Sequence, residues 1–439
     1  MEENIHTLIT NDAVVLGLLL LVLAFIFTTS ASEKKAWQRF YTFIPALLLC
    51  YFIPAIFNSP ITINGEGYRL IDGEASNLYH VASRYLLPAS LVLLCISIDL
   101  KGILKLGPKA IIMFFTATIG IVIGGPIALL TVSSFAPEVL GGQGPEEIWR
   151  GLSTVAGSWI GGGANQAAMK EIYGPSDTLF SAMIVVDVFV ANIWMAFLLF
   201  GAGITKKLDN WLKADSSAIT ELQTNIENYQ ANTAFIPKTK DLMTIMAIAF
   251  GAVAISHWLA DIISPALGGF IENKIAADSE SGWKYLTSLS SGFFWLVIIA
   301  TTLGVLVSFT KYRKLEGAGA SKMGSVFLYV LVTTIGMHMN ISELINNWAV
   351  FKFLILVGLI WIFIHVLLLM LIAKIIKAPF FFVAVGSQAN VGGAASAPIV
   401  ASAFSPALAP VGVLLAVLGY ALGTYGAILC AELMKYISV

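Results

Sequence analysis

The sequence predicts an all-α membrane protein built of inverted-topology repeats, each with five crossings and one re-entrant or broken segment, about 10 to 12 transmembrane segments in all. Three observations predict it. Hydrophobic residues make up 58% of the 439 and charged ones 12%, far from the balance of a soluble domain. Apolar runs of about 20 residues, the length that crosses a hydrocarbon core, recur along the chain. Two distant stretches, "GSWIGGGANQAAM" at 157–169 and "GSQANVGGAASAPIV" at 386–400, share a spelling of paired glycines, amides and small residues.

The apolar runs fall near 12–29, 41–57, 78–98, 108–135, 176–204, 241–267, 284–310, 322–338, 349–376 and 406–434. An acidic front without a positive n-region precedes the first, which is therefore expected to be a membrane helix and not a cleaved leader. Segments 150–171 and 379–403 are long enough to cross, yet crowded with Gly, Ala, Ser, Asn and Gln. Pro88, Pro126 and Pro398 predict kinks.

Lys and Arg concentrate in short cytoplasmic loops, and this orients the spans. One set of loops carries Lys34, Lys35 and Arg39, then Lys101, Lys105 and Lys109, then Lys311, Arg313, Lys314 and Lys322, then Lys374 and Lys377. The loops 58–77 and 136–147 are acidic. A multi-pass membrane protein with its N-terminus outside is expected. The connector 205–240, with Lys206, Lys207, Lys213, Lys238 and Lys240, falls inside only if 150–171 enters and leaves on one face.

Treating both polar segments this way gives a first repeat at 1–204, a cytoplasmic connector at 205–240 and a second repeat at 241–439. An odd number of crossings turns the second repeat over. "CISIDLKGIL" at 95–104 matches "GMHMNISELI" at 336–345, and "GGANQA" at 162–167 matches "GGAASA" at 392–397, in the same order. Secondary transporters recurrently use inverted repeats, with sites near the midplane where the repeats meet. Chance similarity of small-residue runs is the competing account.

Irregular backbone at membrane depth survives only where protein buries it or water reaches it. Gly162, Gly163, Gly392 and Gly393 thus have two readings: they open the segments around a solute, freeing carbonyls and half-helix N-termini, or they let helices approach closely. The neutral oxygens of Ser158, Asn165 and Gln166, and of Ser387, Gln388, Asn390 and Ser396, favour the first, although amides also glue helices together. Asp187, inside "SAMIVVDVFVANIWMAFLLF" with no basic residue in the span, is a functional candidate by its cost alone. It could complete a sodium site, carry a proton, or be an amide-capped structural carboxylate. The matching place in the second half holds Tyr420, Thr424 and Tyr425 but no acid. His338 and His365 read as packed or interfacial, and His257 with Asp261 as interfacial.

Net charge is near zero, with 25 Lys and Arg against 26 Asp and Glu, so no nucleic-acid partner is expected. Cys50, Cys95 and Cys430 sit in apolar runs without paired or metal-ligand spacing. HExxH, GxSxG and GxxxxGK[ST] are absent, so no enzyme is expected.

The stretches "SWIGGGANQAAMKEIYG" and "GSQANVGGAASAPIVASAF" resemble the YjcL-like family of bacterial multi-pass membrane proteins, a domain of unknown function, over nearly the whole chain. More distantly the arrangement looks like the sodium/glutamate and citrate-type carboxylate symporters. That resemblance implies two Gly-rich re-entrant segments forming the site, a core moving against a scaffold, and a homodimer. The glutamate symporters' Gly-Gly-His-Gly-Thr type of signature is not matched, since Ala164, Asn165 and Gln166 follow Gly162 and Gly163. The only candidate intramembrane partner for a substrate carboxylate is Arg84.

The expected function is a cation-coupled secondary transporter of a small organic solute, carboxylate or amino-acid-like, with sodium favoured over the proton. Asp187, Asn165, Gln166 and Ser158 are the cation candidates. Gly162, Gly163, Ser387, Gln388, Asn390, Gly392, Gly393 and Ser396 are the solute candidates. Helices near 12–57 and 241–310 are expected as scaffold, and 78–204 with 322–439 as transport core. A proton-coupled transporter or antiporter and a passive pore are the alternatives.

Overall fold

A computed structural model describes residues 5–44, 46–63, 66–214, 237–278, 283, 287, 289–339, 348–405 and 408–438. Most of the connector and the second half of "GMHMNISELI" lie outside the described residues. Each of the ten apolar runs is occupied by a helix. Seven helices are long and apolar enough to cross a membrane, and up to nine if each of two bent pairs counts as one span.

Helix α1 (Asp12–Ser30) starts where the Asn11 side chain accepts from the Ala13 and Val14 amides. It is followed by α2 (Lys35–Phe43) and α3 (Ala46–Asn58). The chain then makes something the apolar pattern does not announce. Three short strands, β1 (Ile5–Ile9), β2 (Ile61–Ile63) and β3 (Glu66–Ile71), form a sheet in the order β1-β3-β2, with β1 parallel and β2 antiparallel to β3. Asp12 fastens this sheet end to the bundle by accepting from the Ser76 hydroxyl at 2.7 Å and the Asn77 amide at 3.2 Å.

Helix α4 (Leu78–Ile96) carries a π-helical turn at Ala82–Leu86, just ahead of Pro88. Proline has no N–H to close the ordinary ladder, which relieves the local register. The short α5 (Leu100–Leu104) leads to α6 (Pro108–Ser133). Helices α7 (Ile148–Gly161) and α8 (Gly163–Tyr173) are separated by one residue, Gly162. Next come α9 (Asp177–Gly203), α10 (Thr205–Leu212), α11 (Thr239–Ala277), α12 (Gly292–Ser308), α13 (Ala320–Gly336) and α14 (Trp348–Ile375). Helices α15 (Phe380–Val391) and α16 (Gly393–Phe404) again meet at glycine, and α17 (Ala409–Ser438) closes the chain.

Both broken segments fold back on themselves. In the first, the rings of Trp149 and Tyr173 are 5.4 Å apart and Arg150 donates to the Tyr173 carbonyl at 2.5 Å, so both arms leave at one end. A Cβ on Gly157 would lie 2.6 Å from the Asn165 carbonyl oxygen, so the arms run side by side. In the second, Phe381 and Phe404 meet edge to face at 5.3 Å and Gln388 reaches Ser396 at 2.7 Å. Hairpin 1 opens toward the sheet-bearing end, where Tyr173 also meets Glu432 near the close of α17. Hairpin 2 opens toward the opposite end, where the Phe380 amide donates to Asp209 of α10 and Lys109 donates to the Lys377 carbonyl.

The helices pack in two groups. In the outer group α4 contacts α11 and α12 through Ala89, Val92, Ile96, Ile245, Ala249 and Ala300. Glycines let α13 touch this group closely: a Cβ on Gly324 would sit 3.0 Å from Leu93, and one on Gly336 2.3 Å from the Tyr51 carbonyl of α3. In the inner group α6 lies on α14, where Trp361 donates to the Ile121 carbonyl at 2.8 Å and fills the space over Gly124 and Gly125. Both hairpins, α9 and α17 complete it. Small residues serve close approach here too, because Gly161, Gly419 and Gly423 bring α7 against α17 backbone to backbone.

Candidate functional site

The two hairpins enter from opposite ends and meet tip to tip. A Cβ built on Gly393 would lie 3.9 Å from the Cα of Gly162. Gly162 has φ +76° with extended ψ, and Gly393 has φ +59°. The first lies in a region essentially reserved for glycine, the second in the left-handed region that it favours. Each tip is also the start of a helix, α8 and α16, and neither start carries a side-chain cap. Two helix N-termini with free amide donors therefore converge on one place in the protein interior.

Asp187 stands beside hairpin 1 and is 5% exposed. Trp159 of α7 donates its indole N–H to Oδ1 at 2.7 Å, and Gln166 of α8 donates to Oδ2 at 2.8 Å. Ser158 faces the same carboxylate. Among the described residues no Lys, Arg or His pairs with it, so the carboxyl group is met by neutral donors alone. Trp194, two helical turns further along α9, donates to the Ser387 hydroxyl of hairpin 2 at 2.7 Å. One face of α9 thus holds both hairpins.

Ser387 also contacts His365 Nε2 at 2.7 Å, while His365 Nδ1 contacts the Ala117 carbonyl at 3.0 Å. A carbonyl only accepts, so the ring proton belongs on Nδ1, and Nε2 accepts the serine O–H. Asn165 is held on three sides: its Nδ2 donates to the Gly161 and Tyr420 carbonyls, both at 3.1 Å, and Thr424 donates to its Oδ1 at 2.6 Å. Asn390 is wired alike, to the Gly386 and Phe114 carbonyls at 3.0 and 3.2 Å and from Thr118 at 2.8 Å.

The residues singled out from sequence therefore divide. Gly162, Gly163, Gly392, Gly393, Gln388 and Ser396 gather at the tips. Gln388, 1% exposed, spends its Nε2 on Ser396, and its Oε1 has no hydrogen-bond partner among the described residues. Asp187, Gln166 and Ser158 form a second group behind hairpin 1. Asn165, Asn390 and Ser387 are taken up in clamps between helices. Arg84 is remote from the tips, its guanidinium lying over Phe293 at 4.6 Å. Sequence reasoning missed Trp159, Trp194 and Thr118, and it passed over His365. A tryptophan within the first polar set, in "SWIGGGANQ", was an available signal; Trp194 lies 193 residues from the Ser387 it bonds and gave none. The Tyr51 hydroxyl of α3, buried without a hydrogen-bond partner among the described residues, is a further unassigned polar group in the interior.

A bundle of long apolar helices with two broken ones at its centre defines a multi-pass, all-α membrane protein. The chain belongs to the family described as "Protein of unknown function (DUF819)", whose model matches residues 17–437. It is similar to the Bacillus subtilis (strain 168) protein named "Uncharacterized membrane protein YjcL", with 26% identity over 357 residues, 80% of this chain and 82% of that one.

Proposed function

We propose that the protein is a cation-coupled secondary transporter of a small organic solute, working by alternating access in the bacterial inner membrane. The observation that carries this reading is the meeting of the hairpin tips, with Gly393 3.9 Å from Gly162 by its Cβ position. Broken helices whose ends converge inside a bundle supply ion and solute sites that an unbroken helix cannot. Two uncapped helix N-termini favour an anionic group such as a carboxylate. The open Gln388 oxygen suits a donor or cation on the same solute.

Asp187, Gln166 and Ser158 are assigned to the coupling cation, with sodium ahead of the proton. Asn165 and Asn390 fix the hairpins so that the tips keep their geometry. The repeats are read as inverted, because the hairpins enter from opposite ends and each is followed by a helix, α9 or α17, packed beside the other. Packing supports a scaffold of the helices near 12–57 and 241–310, and favours adding to it α4 and α13, which the sequence assigned to the transport core. The transport core is then α6, α9, α14, α17 and the hairpins. A homodimer with its N-terminus outside and no enzymatic role completes the reading.

The test is the thermal stability of the purified protein when choline chloride is replaced by sodium chloride at constant ionic strength. A ligand that binds only the folded state raises stability by mass action. We expect a rise for the wild type that disappears in Asp187→Asn, and sodium-driven solute uptake in vesicles. A pH-dependent shift lost in Asp187→Asn, without a sodium effect, would replace sodium by the proton. Solute flux indifferent to either gradient would make the protein a pore.

A further inference from the structure

The seam between outer and inner helices differs at its two ends. At the sheet-bearing end, Lys170 of α8 is 6% exposed and pairs with Asp177 at 2.9 Å. It also donates to the Tyr79 hydroxyl at 3.0 Å and lies 4.7 Å over the Tyr79 ring. Tyr79 belongs to the outer helix α4, and its hydroxyl donates in turn to Glu171. One outer-group phenol is thus gripped by a cation and an anion of hairpin 1. His338, at the end of α13, packs on Tyr79 at 4.9 Å and pairs with Glu74 at 3.3 Å. A second link at this end joins Lys435 of α17 to Thr287, ahead of α12, at 2.9 Å.

Toward the opposite end, the seam between α12 and α17 holds a cavity of ≈ 280 Å³, lined by Ile98, Val305, Leu306, Phe309, Leu418 and Leu422 among others. Thr302 and Tyr425 also line it and hydrogen-bond each other across the two helices at 2.7 Å, so the polar link across this cavity is between neutral hydroxyls. The sheet-bearing end is held instead by a buried lysine, which is tolerated only while paired and hydrogen-bonded.

We propose that Tyr79, Lys170, Glu171 and Asp177 form the closed gate of the sheet-bearing end, holding hairpin 1 against the outer helices and denying that end access to the hairpin tips. The gate rests on the tip-site reading above, and it adds the residues that regulate entry to that site. Tyr79→Phe is the sharp variant. It removes both polar links at once while keeping the ring that Lys170 covers, and Glu171→Gln weakens one of them without a change of size.

The experiment places a single reactive cysteine at the tip, Ala394→Cys, in vesicles, and follows its reaction with a membrane-impermeant maleimide. Leu8→Cys, exposed on the sheet, reports whether the reagent reaches that face. The native cysteines are buried. We expect slow labelling of Ala394→Cys from the sheet-bearing face, rising at least about tenfold with Tyr79→Phe, the factor expected for even one lost hydrogen bond to a charged group. Glu171→Gln should raise it less. Arg69→Gln, which breaks the Arg69–Asp72 pair of the sheet without touching the seam, should leave the rate unchanged. An unchanged rate in Tyr79→Phe, an equal rise in Arg69→Gln, or wild-type-seam labelling as fast as Leu8→Cys would each overturn the gate. Labelling needs neither solute nor ion, so a failed transport assay would leave this result standing, and a failed gate would leave the sodium test untouched.

Discussion

Hairpins 1 and 2 are wired alike at their asparagines and unlike at their glutamines. Asn165 and Asn390 each bond the carbonyl four residues back in their own hairpin, across the break for Asn165 and within one arm for Asn390, then a carbonyl on a helix of the other half and the threonine four residues beyond that carbonyl. Hairpin 1 is thereby tied to α17, and hairpin 2 to α6. The glutamines diverge. Gln166 follows its break and caps Asp187, whereas Gln388 precedes its break, contacts Ser396 and keeps an oxygen free. The shared wiring fixes the hairpins across the two halves; the unshared part leaves one hairpin committed to a carboxylate and the other open to a ligand.

The comparison can be broken most severely at Asp187. Asp187→Ala leaves the buried Trp159 and Gln166 donors without an acceptor, and at about 1–3 kcal/mol for each stranded group it should cost on the order of 4 kcal/mol. Chemical unfolding in detergent would show it, and a loss below about 1 kcal/mol would mean those donors find other partners. On hairpin 2, Ser387→Ala strands the Trp194 N–H and His365 Nε2, both neutral, and a loss of about 2–3 kcal/mol is expected. Equal losses at the two sites would say that the Asp187 charge adds nothing to the clamp.

Smaller effects sharpen the contrast between the tips. A Cβ has open space at Gly162 and meets only the Gly162 Cα at Gly393, so alanine at either position tests backbone strain and not packing. Gly162→Ala should cost about 2 kcal/mol and Gly393→Ala about 1 kcal/mol, because left-handed backbone tolerates a side chain better than the glycine-only region does. Gly393→Asn should be milder still, and melting temperatures would rank the three. Similar in size to Gly393→Ala is Thr424→Val, which removes one donor from Asn165 and should cost about 1 kcal/mol. Thr118→Val should match it at Asn390, and a clear inequality would show that the two clamps are not equivalent.

Much of this was legible before folding. Ten apolar runs became ten helices, because membrane-length hydrophobicity is a property of consecutive residues. The broken segments were legible too, since paired glycines and amides in apolar surroundings have few other uses. The sheet was not: its strands are three to six residues long, and β1 finds its partner about sixty residues away. Nor could the sequence assign the amides, which read equally as ligands or as helix glue. The structure bonds Asn165 to a threonine 259 residues distant, a pairing that no local pattern encodes.

What the sequence by itself determined is the class of the molecule, the place of each span and the two points where a helix must break, all of them set by hydrophobic length and by glycine. Only the tertiary structure decided that the breaks meet tip to tip, that Asp187 is answered by Trp159 and Gln166, and that Tyr79 is gripped across the seam by Lys170 and Glu171. Those contacts join residues far apart in the chain, and each depends on which helix faces become neighbours once the bundle has packed.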